Sequence, residues 1–123
     1  MQRDGTRARA PALRELRRWA ALALGRRAAQ RELSLLLVGE RRSRELNAHY
    51  RGQHHATNVL SFPASGGTAL GDLVICPAVL RSEARAQGKR VREHWAHLYV
   101  HGLLHLVGYD HERAADAARM ERR

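Results

Sequence analysis

Two short apolar runs constrain this chain more than any other feature. Leu33 to Val38, in "ELSLLLVG", alternates and then turns wholly apolar, and Gly39 ends it. "GDLVIC", Gly71 to Cys76, has the same character. Each has the length and composition of a strand buried within a sheet. "TNVLSFP", β-branched and apolar up to Pro63, reads as a further strand, with "ASGGTAL" a flexible connection after it.

Helical spacing fills the rest. Leu13, Leu16, Ala20 and Leu24 recur with arginines between them, which predicts an amphipathic helix from Pro11 to about Arg27. Further helices are expected over Glu40 to Tyr50, over Ala78 to about Gln87 with Gly88 as the stop, and over Val91 to Val107 with Gly108 as the stop. "ERAADAARMERR" reads as a separate helical end, and residues 1–10, polar and basic, as a loose N-terminus. The fold class is therefore α+β: one domain over residues 1–123, with a small mixed sheet packed against helices, one of them long.

Composition narrows the function. The formal charge is +10, from 22 basic and 12 acidic residues, and all the basic residues but Lys89 are arginine. Polyanions, nucleic acid first, are the expected partners. No apolar run approaches a membrane span; the N-terminal candidate, Trp19 to Leu24, is short and is closed by Arg26 and Arg27. The single cysteine, Cys76, excludes an internal disulfide and a sulfur-rich zinc site, and is expected buried at a strand end. A cytoplasmic protein is expected.

The stretch "HGLLHLVGYDH", His101 to His111, carries the chemistry. His101 and His105 stand one helical turn apart and point the same way. A left-handed turn at Gly108 would reverse the chain through Tyr109 and Asp110 and bring His111 to the pair. Three imidazoles with an open fourth position form a catalytic zinc arrangement, one ion per chain, with Asp110 adjacent to orient a ring or to cap the turn. The spacing resembles the long metzincin motif, a histidine helix followed by a turn. The glutamate that serves metalloproteases as general base is replaced here by Gly102. His94 and His97 precede the pair on the same face, either extending a substrate groove or packing as hydrogen-bonded polar residues. Zinc acidifies water and polarises a phosphoryl oxygen, so phosphodiester hydrolysis does not need that glutamate. A guanidinium such as that of Arg51 can clamp two phosphate oxygens.

The same stretch closely resembles the signature of the YbeY endoribonucleases, approximately HGxLHLxGYDH. "LNAHYRGQHHATNVLSFP", Leu46 to Pro63, and "LGDLVIC" resemble two further blocks of that family. The resemblance implies a zinc held by His101, His105 and His111, with Arg51 and His101 in catalysis. It also implies cleavage of single-stranded RNA, linked to 16S ribosomal RNA 3′-end maturation and to ribosome quality control on the small subunit. Gln53 and His54 stand where that family usually has a Lys-Asp pair, and the chain ends at Arg123, where relatives commonly continue their last helix. The alternatives are a zinc metallopeptidase-like hydrolase and a ribosome-associated protein with a structural zinc. Asn47, Thr57 and Ser61 are candidate RNA contacts or capping residues, and Asp72 a candidate partner for a loop or a histidine.

Overall fold

The computed structural model describes residues 1–26, 31–64 and 67–121, apart from the side chains of residues 110, 111, 113, 116–118 and 121. In chain order the described elements are β1 (Gln2–Asp4), α1 (Leu13–Leu24), β2 (Glu32–Val38), α2 (Glu40–Arg51), β3 (Val59–Pro63), β4 (Ala69–Ile75), α3 (Pro77–Ala86) and α4 (Val91–Glu121). The strands form a mixed sheet in the order β1-β2-β4-β3, with β3 antiparallel to β4 and the other pairings parallel.

The two apolar runs are the inner strands β2 and β4, and the sheet is covered on both faces. Alternation sorts their side chains. Leu35, Leu37, Leu73 and Ile75 pack with Leu16 and Ala20 of α1 and with Trp95, Leu98, Leu103 and Leu106 of α4. Leu36, Val38, Val74 and Cys76 turn to the other face, with Leu46 of α2 and Leu60 of β3. Each fully buried leucine or isoleucine contributes about 1.5–3 kcal/mol by leaving water.

Three expectations change. Residues 2–4 are not loose: they form β1, parallel to β2, with Gln2 opposite Leu36. All three side chains are exposed, so the strand is held by its backbone pairing and carries no apolar pattern to read. Gly39 donates its N–H to the Asp4 carbonyl at 3.1 Å. A Cβ on Gly39 would lie 2.4 Å from the Gly5 oxygen, so the close approach of the two chain segments requires glycine there.

The second change is at Gly108, which does not stop α4. The helix runs on through residue 121, taking in the C-terminal stretch that reads as a separate element. Gly108 has no positive φ. Glycine permits the left-handed turn without imposing it, and its cost inside a helix is only about 1 kcal/mol. Third, the connection after β3 is shorter than expected, since Ala69 and Leu70 belong to β4; residues 65 and 66 of that connection lie outside the described residues.

Cys76 is buried at the end of β4, as expected, and desolvation there pushes its thiol pKa up. An unfolded thiol ionises near its ordinary value of 9.0, while the folded one keeps its proton to higher pH. The stability contribution is therefore complete below the unfolded value and is lost as pH rises towards the folded one. Comparison of urea midpoints at about pH 8 and about pH 10 should show a larger alkaline loss for the parent than for Cys76→Ala. Equal losses would show that the thiol keeps its ordinary value.

Candidate active site

The long helix α4 presents different faces to different surroundings. Trp95, Leu98, Leu103 and Leu106 face the sheet, and His97, His101 and His105 recur every four residues along an exposed flank. What sets the depth of the helix on the sheet is Gly102. A Cβ there would come within 2.9 Å of Leu73 Cδ2, and Leu73 is itself wholly buried in β4. The residue that replaces the metalloprotease glutamate is thus buried against the sheet, where a carboxylate has no room.

Between this flank and the edge strand β3 lies a groove of about 410 Å³. Its helix wall carries His97, Leu98, His101, Gly102 and His105; its other wall carries Asn58, Val59 and Ser61, with Arg51 from the end of α2. Among the described residues, those lining the groove include no carboxylate. Arg51 is held at the groove by a local device. Gly52 takes a left-handed conformation at φ 69 and donates its N–H back to Ala48 and Asn47, closing α2 directly after Arg51. A cation in the last helical turn also suits the helix dipole.

The segment that leads from α2 to β3 is tied down by buried side chains. Ser43 Oγ donates to the Thr57 carbonyl at 2.8 Å and accepts from the Thr57 N–H at 2.9 Å. Asn47, 1% exposed, donates through Nδ2 to the His55 carbonyl at 2.8 Å. Asn47 is therefore scaffold and not a free RNA contact, Thr57 is anchored through its backbone, and Ser61 lines the groove. Asp72 is exposed on the opposite face of the sheet, beside Ser34, Tyr50 and Phe62, and does not serve the histidines.

His94 and His97 divide. His94 is 4% exposed and its Nε2 donates to Glu83 Oε1 at 3.0 Å, while His97 is exposed in the groove. Glu83 also accepts from Asn58 Nδ2, at 3.0 and 3.2 Å to its two oxygens. Sequence reading missed Glu83 and Asn58. Their partners are far apart in the chain, and neither sits in a recognisable spacing.

For a metal, the structure supplies part of a donor set. His101 and His105 line the same groove one turn apart, with no lysine or carboxylate beside them there among the described residues. The backbone at residue 111 is not brought back to them: on a continuous helix it lies about 15 Å along the axis from residue 101. The side chains of His111 and Asp110 lie outside the described residues. Among the described residues no three metal-binding side chains gather at one point.

The family model for "Endoribonuclease YbeY" matches residues 6–123. The chain belongs to the YbeY endoribonuclease family. Among its relatives, the endoribonuclease YbeY of Stutzerimonas stutzeri is 51% identical over 118 residues, covering 91% of this chain and 74% of the relative. That of Pseudomonas entomophila is 51% identical over 122 residues, 94% of this chain and 78% of the relative. The solution structure of TM1509 from Thermotoga maritima superposes with a TM-score of 0.62 at 26% identity, covering 86% of this chain and 71% of that one. It carries the same α+β fold. Among the described residues, no helix is long and apolar enough to cross a membrane.

The close approach at Gly102 is directly testable, because α4 contains a second glycine in open space. Nothing lies within 4 Å of a Cβ placed on Gly108. In chelator-stripped protein, Gly108→Ala should stabilise by about 1 kcal/mol, the ordinary helical gain. Gly102→Ala should instead destabilise by about 1–2 kcal/mol, because overpacking against Leu73 exceeds the same gain. Urea unfolding of both variants decides it. A Gly102→Ala protein more stable than the parent would mean that α4 does not sit so deep.

Proposed function

We propose that this chain, an endoribonuclease by family, cleaves single-stranded RNA in the groove between β3 and α4, with 16S ribosomal RNA 3′-end maturation on the small ribosomal subunit as its cytoplasmic role. One zinc ion is held by His101, His105 and His111, and Arg51 and His101 are the catalytic residues. The observation that supports this most is the gathering of Arg51, from α2, with His101 and His105, from α4, in one groove.

When bound, zinc supplies Lewis acidity towards a phosphoryl oxygen and acidifies water. Holding His111 with the other two histidines requires the chain to leave the helical path at Gly108, where a left-handed turn is open to glycine. The chain's own residues do the rest. The Arg51 guanidinium grips non-bridging phosphate oxygens in a fork and meets the charge that develops on them. His101, beside it in the groove, faces the scissile phosphate. Ser61 offers a hydroxyl to sugar or phosphate, and Val59 and Leu98 line the groove with apolar surface. With six aromatics in the chain, RNA is held mainly through phosphates and shape, by a surface of net charge +10. A peptidase is disfavoured because the position of its general base, residue 102, is buried against Leu73.

Two experiments test this. Metal analysis should find about one zinc per chain, lost in each of His101→Ala, His105→Ala and His111→Ala. The metal-replete protein should cleave single-stranded RNA and leave unstructured peptides intact, and chelation should stop cleavage. Zinc-dependent peptide cleavage without RNA cleavage would reverse the assignment.

Arg51→Ala should leave zinc content and melting temperature nearly unchanged. Single-turnover RNA cleavage at saturating protein and low salt should fall by about two to three orders of magnitude, the worth of a well-placed oxyanion donor at roughly 3–4 kcal/mol. Arg51→Lys should recover little, since an ammonium is not a fork. The control is Arg41→Ala on the same helix, whose side chain is 89% exposed and paired with Glu45 at 3.4 Å. Cleavage by Arg51→Ala at the parent rate would make Arg51 a docking residue only.

A further inference from the structure

The two walls of the groove are joined at one carboxylate. Glu83, on α3, accepts from Asn58 Nδ2 on the β3 wall and from His94 Nε2 on α4. The two donors converge on the same oxygen, each at 3.0 Å. His94 is buried, and its Nδ1 has no hydrogen-bond partner among the described residues, so Glu83 is the group that orients this ring. From His94 the arrangement continues along the helix flank. The His94 and His97 rings lie 10° from parallel with centroids 6.2 Å apart. Those of His97 and His101 lie 16° from parallel at 6.3 Å. The rings therefore form a graded series from the carboxylate to the groove histidine that the cleavage reading uses.

We propose that Glu83 is a positioning residue for RNA cleavage: by accepting from Asn58 and His94 at once, it fixes the spacing of the two groove walls and the ring planes of the histidine series that ends at His101. The inference rests on the cleavage reading above and adds to it a residue outside the groove. Glu83 acts through neighbours and does not touch substrate. Half-exposed glutamates on helices ordinarily make single, replaceable contacts. This one joins the residue that precedes β3 to a buried histidine of α4, and adds a polar tie to the packing of Val59 against that helix face.

The test compares Glu83→Ala, which loses both bonds, with Glu83→Gln. The glutamine carbonyl can take the position of the shared oxygen and accept from both donors without the charge. Circular dichroism first fixes a temperature at which every variant is folded. At that temperature and at saturating protein, Glu83→Ala should cleave single-stranded RNA about 10- to 100-fold more slowly, as is usual on loss of a group that orients a functional histidine. Glu83→Gln should restore most of the rate. Should Glu83→Ala fail to fold, Glu83→Asp, one methylene too short to reach both walls, takes its place.

Imidazole resonances of His97 and His101 in metal-free protein give a readout independent of cleavage. They should move in Glu83→Ala and stay near their parent positions in Glu83→Gln. A folded Glu83→Ala that cleaves at the parent rate overturns the proposal. So does a Glu83→Gln as slow as Glu83→Ala, because charge and not the pair of bonds would then matter. If the parent itself does not cleave RNA, the reading of the groove fails, and the resonances alone decide for Glu83: unmoved rings in Glu83→Ala reject the positioning role, and moved rings retain it.

Discussion

The contact between Gly102 and Leu73 governs how this molecule is put together around its groove. Where a helix meets a sheet through ordinary side chains, its axis stands off by the thickness of two side-chain layers. Here one layer is absent, and α4 settles onto β4 between His101 and His105. Leu98 and Leu106, four residues to either side of Gly102, then seal the helix against the same sheet face. The exposed flank of α4 is lowered beside β3, and that brings His101 and His105 into one groove with Val59 and Ser61.

The opposite wall is built by other means. β3 is an edge strand, paired among the described residues to β4 alone, and its approach from α2 is fixed by Ser43 and Asn47 under the intervening loop. Arg51 rides on this support, at the last residue of a helix whose stop is enforced by Gly52. The two walls thus have separate foundations: packing for α4, and buried hydrogen bonds for the α2–β3 segment. Glu83 adds a polar tie between them, beside the packing of Val59 on the α4 face.

Much of this was legible in the sequence because the signals are periodic. The strands β2 and β4 announce themselves as unbroken apolar runs because both faces of the sheet are covered. The His101 and His105 pair is legible because a four-residue spacing maps directly onto one helix face. What escaped was held by the backbone or by distant partners. Gln2, Arg3 and Asp4 show no strand pattern, since none of their side chains is buried. Asn47 reads as a polar residue in a motif, and only the fold shows that it lies beneath a loop. Gly108 in the sequence suggests a turn, whereas the structure continues the helix. Glycine is compatible with either, so local sequence does not decide it.

The pairing pattern of the sheet also orders its assembly. β3 and β4 are sequence neighbours, with Pro63 opposite Gly71, and close as a local hairpin. β2 must find β4 across the whole of α2 and β3, with Leu35 opposite Leu73, and β1 must find β2 across α1. Loop-closure entropy makes the parallel pairings slower than the hairpin. The hairpin is also the piece that carries one wall of the groove. The Val59 and Ser61 part of the site therefore forms with the hairpin, while the polar strand at the far edge, with three residue pairs and no buried side chain to anchor it, is the weakest pairing of the sheet.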